Sequence, residues 1–134
     1  MAEKIRVNVE TVELEVNDNG DTIVLPVSDE RFISNLYTFA NSISEKAEKI
    51  HELGKSDVSA FVKADIELHN SLKEEFTTLF GEGSYEKVFG SDIVVGAEYV
   101  LDFLDQCLPY FTKHIQGRME RLSKYNANRT GSST

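Results

Sequence analysis

A chain of 134 residues has room for one domain and no second, and 40% hydrophobic residues with only ten Gly or Pro fit a folded globular unit, neither disordered nor fibrous. Fourteen basic against 23 acidic residues give a net charge of −9, which disfavours nucleic acid as the main partner, because phosphate binding rests on clustered Lys and Arg. The lone Cys107 excludes an internal disulfide and a multi-thiolate metal site, and the apolar runs are too short to cross a membrane.

The first elements expected are strands. Ile5, Val7 and Val9 alternate with polar residues, and Val12, Leu14 and Val16 alternate in the opposite phase, so a bulge or tight turn is required at Glu10-Thr11. Asn17-Asp18-Asn19-Gly20-Asp21 supplies residues that tolerate positive φ, as a hairpin loop demands, before the run Ile23-Val24-Leu25. Pro26 cannot donate to a ladder and should end the strand. The expectation is an antiparallel hairpin or small meander over residues 1–27.

Helical periodicity follows. Ser28-Asp29 opens a stripe of Phe32, Leu36, Phe39, Ile43, Ala47 and Ile50 that should stop near Gly54. Ser56-Asp57 caps a second helix, with Phe61, Leu68, Leu72, Phe76 and Leu79 on one face and a stop at Gly81. A single helical turn after Ser84 ends at Gly90, and Ser91-Asp92 is the expected cap of a last long helix carrying Ile93, Ala97, Val100, Leu101, Leu104 and Leu108. Pro109 should kink or break that helix, although Phe111, Ile115, Met119 and Leu122 keep its period. The polar segment 126–134 reads as a flexible tail. The fold class predicted is α+β, with one domain over residues 1–125: a hairpin region at 1–27 and three to four helices at 28–125.

Charge is polarised along the chain. Residues 1–30 hold two basic and eight acidic groups, whereas residues 113–129 hold five basic groups against Glu120 alone. Such polarity could steer self-assembly or docking, beyond merely solvating the two ends.

No constellation for catalysis emerges. Glu48 and His51 form one Glu-x-x-His pair, but a di-iron bundle needs two, and Phe111 before His114 and Ile66 before His69 leave the second missing. Asp65 and His69 stand four apart, a spacing that suits a helical hydrogen bond. The loop at residues 17–21 fails as a calcium loop because Pro26 falls where the bidentate glutamate is needed. Gly81-Glu82-Gly83 lacks the Gly-Lys-Ser/Thr continuation of a phosphate cradle. Glu98, Asp102 and Asp105 line one helical face without an identifiable opposing base, and Cys107 reads as a small core residue with a raised thiol pKa. Neither a catalytic residue nor a metal or other cofactor is predicted, and the chain is not expected to be an enzyme. With Met1-Ala2-Glu3-Lys4 lacking a signal-peptide core, a cytoplasmic location is expected.

The stretch Leu79-Phe80-Gly81-Glu82-Gly83-Ser84-Tyr85-Glu86-Lys87-Val88-Phe89-Gly90, with Tyr99-Val100-Leu101-Asp102-Phe103-Leu104 and Leu122-Ser123-Lys124-Tyr125-Asn126, resembles a tail assembly chaperone-like family of small tail-module proteins from long-tailed phages and Gram-positive prophages. The resemblance is best over residues 60–129. It implies a protein of the bacterial host cytoplasm that holds the tape-measure protein while tail subunits polymerise around it, and it brings no catalytic residues. Other tail proteins, or further copies of the chain, are the other partners expected, and neither nucleic acid nor membrane is. Phe80, Tyr85 and Phe89, beside the glycine turns, are the candidate protein-contact residues, the alternative being that these rings close the core under the loop. The rival readings are a structural tail or connector subunit retained in the particle, an acidic inhibitor that mimics nucleic acid, and, last, an enzyme, which would need a pocket gathering Glu98, Asp102 or His114.

Overall fold

The computed structural model describes residues 2–131 and contains a two-stranded antiparallel sheet followed by four helices. Strands β1 (Val12–Glu15) and β2 (Thr22–Leu25) pair with Val12 opposite Leu25 and Leu14 opposite Ile23. The register puts Ile23 and Leu25 into the core and leaves Val24 outside, as period two requires. Gly20 takes positive φ in the connecting loop, and Asn17 organises it. Its Oδ1 accepts from the backbone N–H groups of Asn19 and Asp21, and its Nδ2 donates to the Asp21 carboxylate at 2.8 Å and to the carbonyl of Lys87 at 3.0 Å. One amide thus shapes the turn and ties it to a segment 70 residues away. Strand β2 stops at Leu25, before Pro26.

Helix α1 (Glu30–Gly54) begins where the Asp29 carboxylate accepts from the N–H groups of Arg31 and Phe32, and α2 (Val58–Phe80) where Asp57 accepts from Ala60. The two form an antiparallel pair with a three-residue connection. A Cβ at Gly54 would come within 2.8 Å of the Phe61 ring, so the absence of a side chain there permits the close turn. Helix α3 (Ser84–Phe89) is flanked by Gly83 and Gly90, both at positive φ, and α4 (Ala97–Gly131) closes the core. Leu25 and Val27 meet Leu36 and Ile43 of α1, Leu72 and Phe76 of α2, and Val100, Leu104 and Phe111 of α4 in one buried cluster.

Four sequence expectations need correction. Residues 5–9 form no strand: the chain before β1 has no partner strand, and Ile5, Val7 and Val9 lie exposed, leaving a hairpin and no meander. Helix α4 begins at Ala97, six residues after Ser91, because the β-branched run Ile93-Val94-Val95 and then Gly96 are poor helix formers and Asp92 sits at φ +57°. Of the kink or break expected at Pro109, the break does not occur, since α4 runs through it. Proline removes the bond to the carbonyl four residues earlier, but Pro109 and Asp105 are both on the solvent side, where water can satisfy that carbonyl, while Cys107 and Phe111 hold the flanking turns in the core. The helix also continues past Asn126 to Gly131, because extending an existing helix adds one hydrogen bond per residue without a new nucleus; residues 132–134 lie outside the described residues.

Candidate functional site

The helix pair and α3 bring most of the phenylalanines together. Phe76, without accessible surface, stands 4.6 Å from Phe80, 5.5 Å from Phe103, 5.6 Å from Phe89 and 5.8 Å from Tyr85, centroid to centroid. These are tilted and edge-on contacts, the geometry that the ring quadrupole favours. Of the three candidate contact rings, Tyr85 is enclosed, only 1% exposed, whereas Phe80 and Phe89 pack on the core with part of their surface open, Phe89 lining the cleft beside β1. The glycines on either side of α3 are what turn these rings toward the core, since Gly81, Gly83 and Gly90 all take positive φ.

The Tyr85 hydroxyl reaches the buried His69 ring, 3.2 Å from Nδ1 and 3.3 Å from Nε2, so it can donate to whichever nitrogen lacks a proton. Burial pushes the Tyr85 phenol up, with the Val95 backbone acting in the opposite direction and the Glu86 carboxylate adding to the rise. It stays a neutral donor at physiological pH. The carboxyl of Asp65, one turn before His69, is raised by burial and then by Glu98, with His69 opposing. Lys73 lies 5.5 Å over the Tyr85 ring and 3.2 Å from Glu86. The buried His69–Tyr85 pair has the groups of an acid/base couple but presents no accessible face to a substrate, and it satisfies two polar side chains inside an aromatic core.

The other sequence candidates are scattered. Glu48 and His51 are both exposed on α1, and among the described residues no three His, Cys, Asp or Glu side chains converge as a metal site. Asp102 lines a cleft of about 360 Å³ between β1 and α4, where its carboxylate accepts from Gln106 at 3.1 Å, but His114 lies elsewhere. His114 Nδ1 is 2.7 Å from Glu10 Oε2, a contact across 104 residues that no spacing rule could reveal, and the Glu10 carbonyl accepts from the Ser28 hydroxyl at 2.7 Å. Cys107 is buried, and burial pushes its thiol up to about 12.

An open groove of about 700 Å³ lies between the start of α1 and the second half of α2. Phe32, Phe39 and Leu79 supply its apolar floor, and Asp29, Glu74 and Glu75 stand against Arg31 alone around it. The groove was not legible as a site: its two walls are separated by about 40 residues, and only the acidic residues at the end of the α2 pattern hinted at its charge. A second apolar row, Val58, Val62 and Ile66, stands exposed on the first half of α2. No helix among the described residues is long and apolar enough to cross a membrane.

Residues 19–133 match the model of a family of unknown function (DUF6673), and the chain belongs to that family. No curated protein and no solved structure matches it.

Proposed function

We propose that this DUF6673 protein is a non-enzymatic, tail assembly chaperone-like binding protein that holds the tape-measure protein in the cytoplasm of a bacterial host while a phage or prophage tail is built. The groove between α1 and α2 is the observation that carries this reading. It is open, floored by Phe32, Phe39 and Leu79 and rimmed by three carboxylates against one guanidinium. Such a surface fits one face of an amphipathic client helix whose apolar residues repeat every three or four positions and whose flanks are basic. The resemblance of residues 79–90 to tail-module chaperones supplies the identity of the client. Phe80 and Phe89 then serve by supporting α3 and the end of α2, and the groove replaces them as the contact surface.

The test is co-expression with the tape-measure protein of the same genome, followed by gel filtration. A stable complex is expected, weakened about tenfold by Glu74→Lys with Glu75→Lys and by raised salt, because rim charges act mainly through long-range attraction. No complex, or one indifferent to both changes, overturns the proposal. Detection of the chain in mature particles by mass spectrometry would favour a structural tail subunit, the reading that the exposed segment before β1 supports.

A further inference from the structure

The segment before β1 is the least satisfied part of the fold. Ile5, Val7 and Val9 are 92%, 81% and 70% exposed, the first two being the most exposed large hydrophobic residues described. All three have odd numbers, so in an extended chain they share one face. Among the described residues no backbone hydrogen bond holds residues 2–9. The segment is nevertheless anchored at its inner end, where Glu10 is fixed through its carbonyl to Ser28 and through its carboxylate to His114, directly ahead of Val12 in β1. A segment anchored at one end, alternating in sequence and without backbone partners, needs only an extended conformation to offer an open strand edge.

We propose that this edge is covered by the same segment of a second copy, the two running antiparallel about a two-fold axis at Val7. The sequence is complementary to itself in that register. Val7 faces Val7, Ile5 faces Val9 twice, and Lys4 faces Glu10 twice, so like meets like on the apolar face and opposite charges meet on the other. Competing registers are poorer. Centring the pair on Ile5 sets Lys4 against Arg6, and centring it on Arg6 sets that guanidinium against its own copy. Centring it on Asn8 drops Ile5 opposite Thr11, and any shift by an odd number of residues puts each apolar side chain opposite a polar one. The partner is therefore another copy of this chain, and the interface does not depend on the groove or on its client.

Cysteine scanning of the full-length protein tests this, since the native Cys107 is buried and its thiol is pushed up to about 12. Val7→Cys should give a disulfide-linked dimer under mild oxidation, at a yield at least about fivefold above Ile5→Cys, Asn8→Cys or Val9→Cys alone. Mixing Ile5→Cys with Val9→Cys should restore the cross-link. Without introduced cysteines, sedimentation should show a concentration-dependent dimer, and Val7→Asp should weaken it about tenfold or more without changing the circular dichroism of the monomer. Equal yields at all four positions, a maximum at a position other than 7, or a monomer at every concentration up to about 1 mM would overturn the proposal.

Discussion

Replacing Phe76 by alanine tests the central claim about the core. The ring has no accessible surface and touches Phe80, Tyr85, Phe89 and Phe103. A buried Phe→Ala change costs about 3–5 kcal/mol, made up of lost transfer energy and the cavity left behind. Each favourable ring pair adds about 0.5–1.5 kcal/mol, so the expected loss lies at the upper end of that range, about 5 kcal/mol. Whole-domain stability is about 5–15 kcal/mol, so the variant would retain at best a reduced margin. The chain has no tryptophan, so urea unfolding is best followed by circular dichroism at the helical minimum. With a slope of about 2 kcal/mol per molar, the midpoint should fall by about 2 M or more at unchanged slope, and a protein of low stability would already be unfolded in water. Phe76→Leu, which keeps most of the volume, should lose only about 1–2 kcal/mol and stay folded. Tyr37→Ala, on a ring 46% exposed, is the control and should stay within about 0.5 kcal/mol of the wild type. A Phe76→Ala loss below about 1.5 kcal/mol, or no larger than the Tyr37 control, would refute the aromatic cluster as the centre of the fold.

Tyr85→Phe should cost about 1–2 kcal/mol by leaving the buried His69 without its partner. In that background His69→Ala should cost less than in the wild type, and strict additivity of the two changes in urea unfolding would disprove the coupling. Cys107 should react with a disulfide reagent at pH 8 about a thousandfold more slowly than in the unfolded chain, since its thiol is pushed up to about 12; rapid labelling of the native protein would contradict its burial. Because burial and Glu98 raise the Asp65 carboxyl, its ionised form costs stability above the folded pKa, and that cost is relieved as pH falls through it. Asp65→Asn should therefore be more stable than the wild type at pH 7, with the gap closing toward pH 4, and a gap that widens on acidification would reverse the assignment.

Local chemistry made much of the fold legible. Asp29 and Asp57 declared the starts of α1 and α2 because a carboxylate at the N-cap satisfies otherwise orphaned N–H groups, and Gly81 and Gly90 declared stops because they take positive φ. Errors arose where local signal competed with a partner elsewhere. Ile5, Val7 and Val9 have strand periodicity, yet a strand needs a neighbour, and periodicity does not say whether one is available. Ser91-Asp92 resembles a helix cap, but the β-branched residues that follow delay α4 to Ala97. The candidate site was harder to read. Phe80, Tyr85 and Phe89 are aromatics beside loops, but how far such rings turn in depends on the turn geometry, and here Tyr85 is enclosed while Phe80 and Phe89 keep part of their surface open. The contacts of His69 with Tyr85, of His114 with Glu10, and across the α1–α2 groove arise only from tertiary packing.

The Asn17 side chain has a consequence for how the chain can diverge. Its amide both closes the hairpin loop and grips the Lys87 carbonyl in α3, while the Lys87 ammonium returns to the Thr22 carbonyl at 3.4 Å. Hairpin and short helix are thereby stitched together from both sides. A chimera that takes its first 30 residues from one family member and its helices from another should keep a stable seam only when both halves preserve that stitch, so recombination within the family is expected to spare the interval between the two.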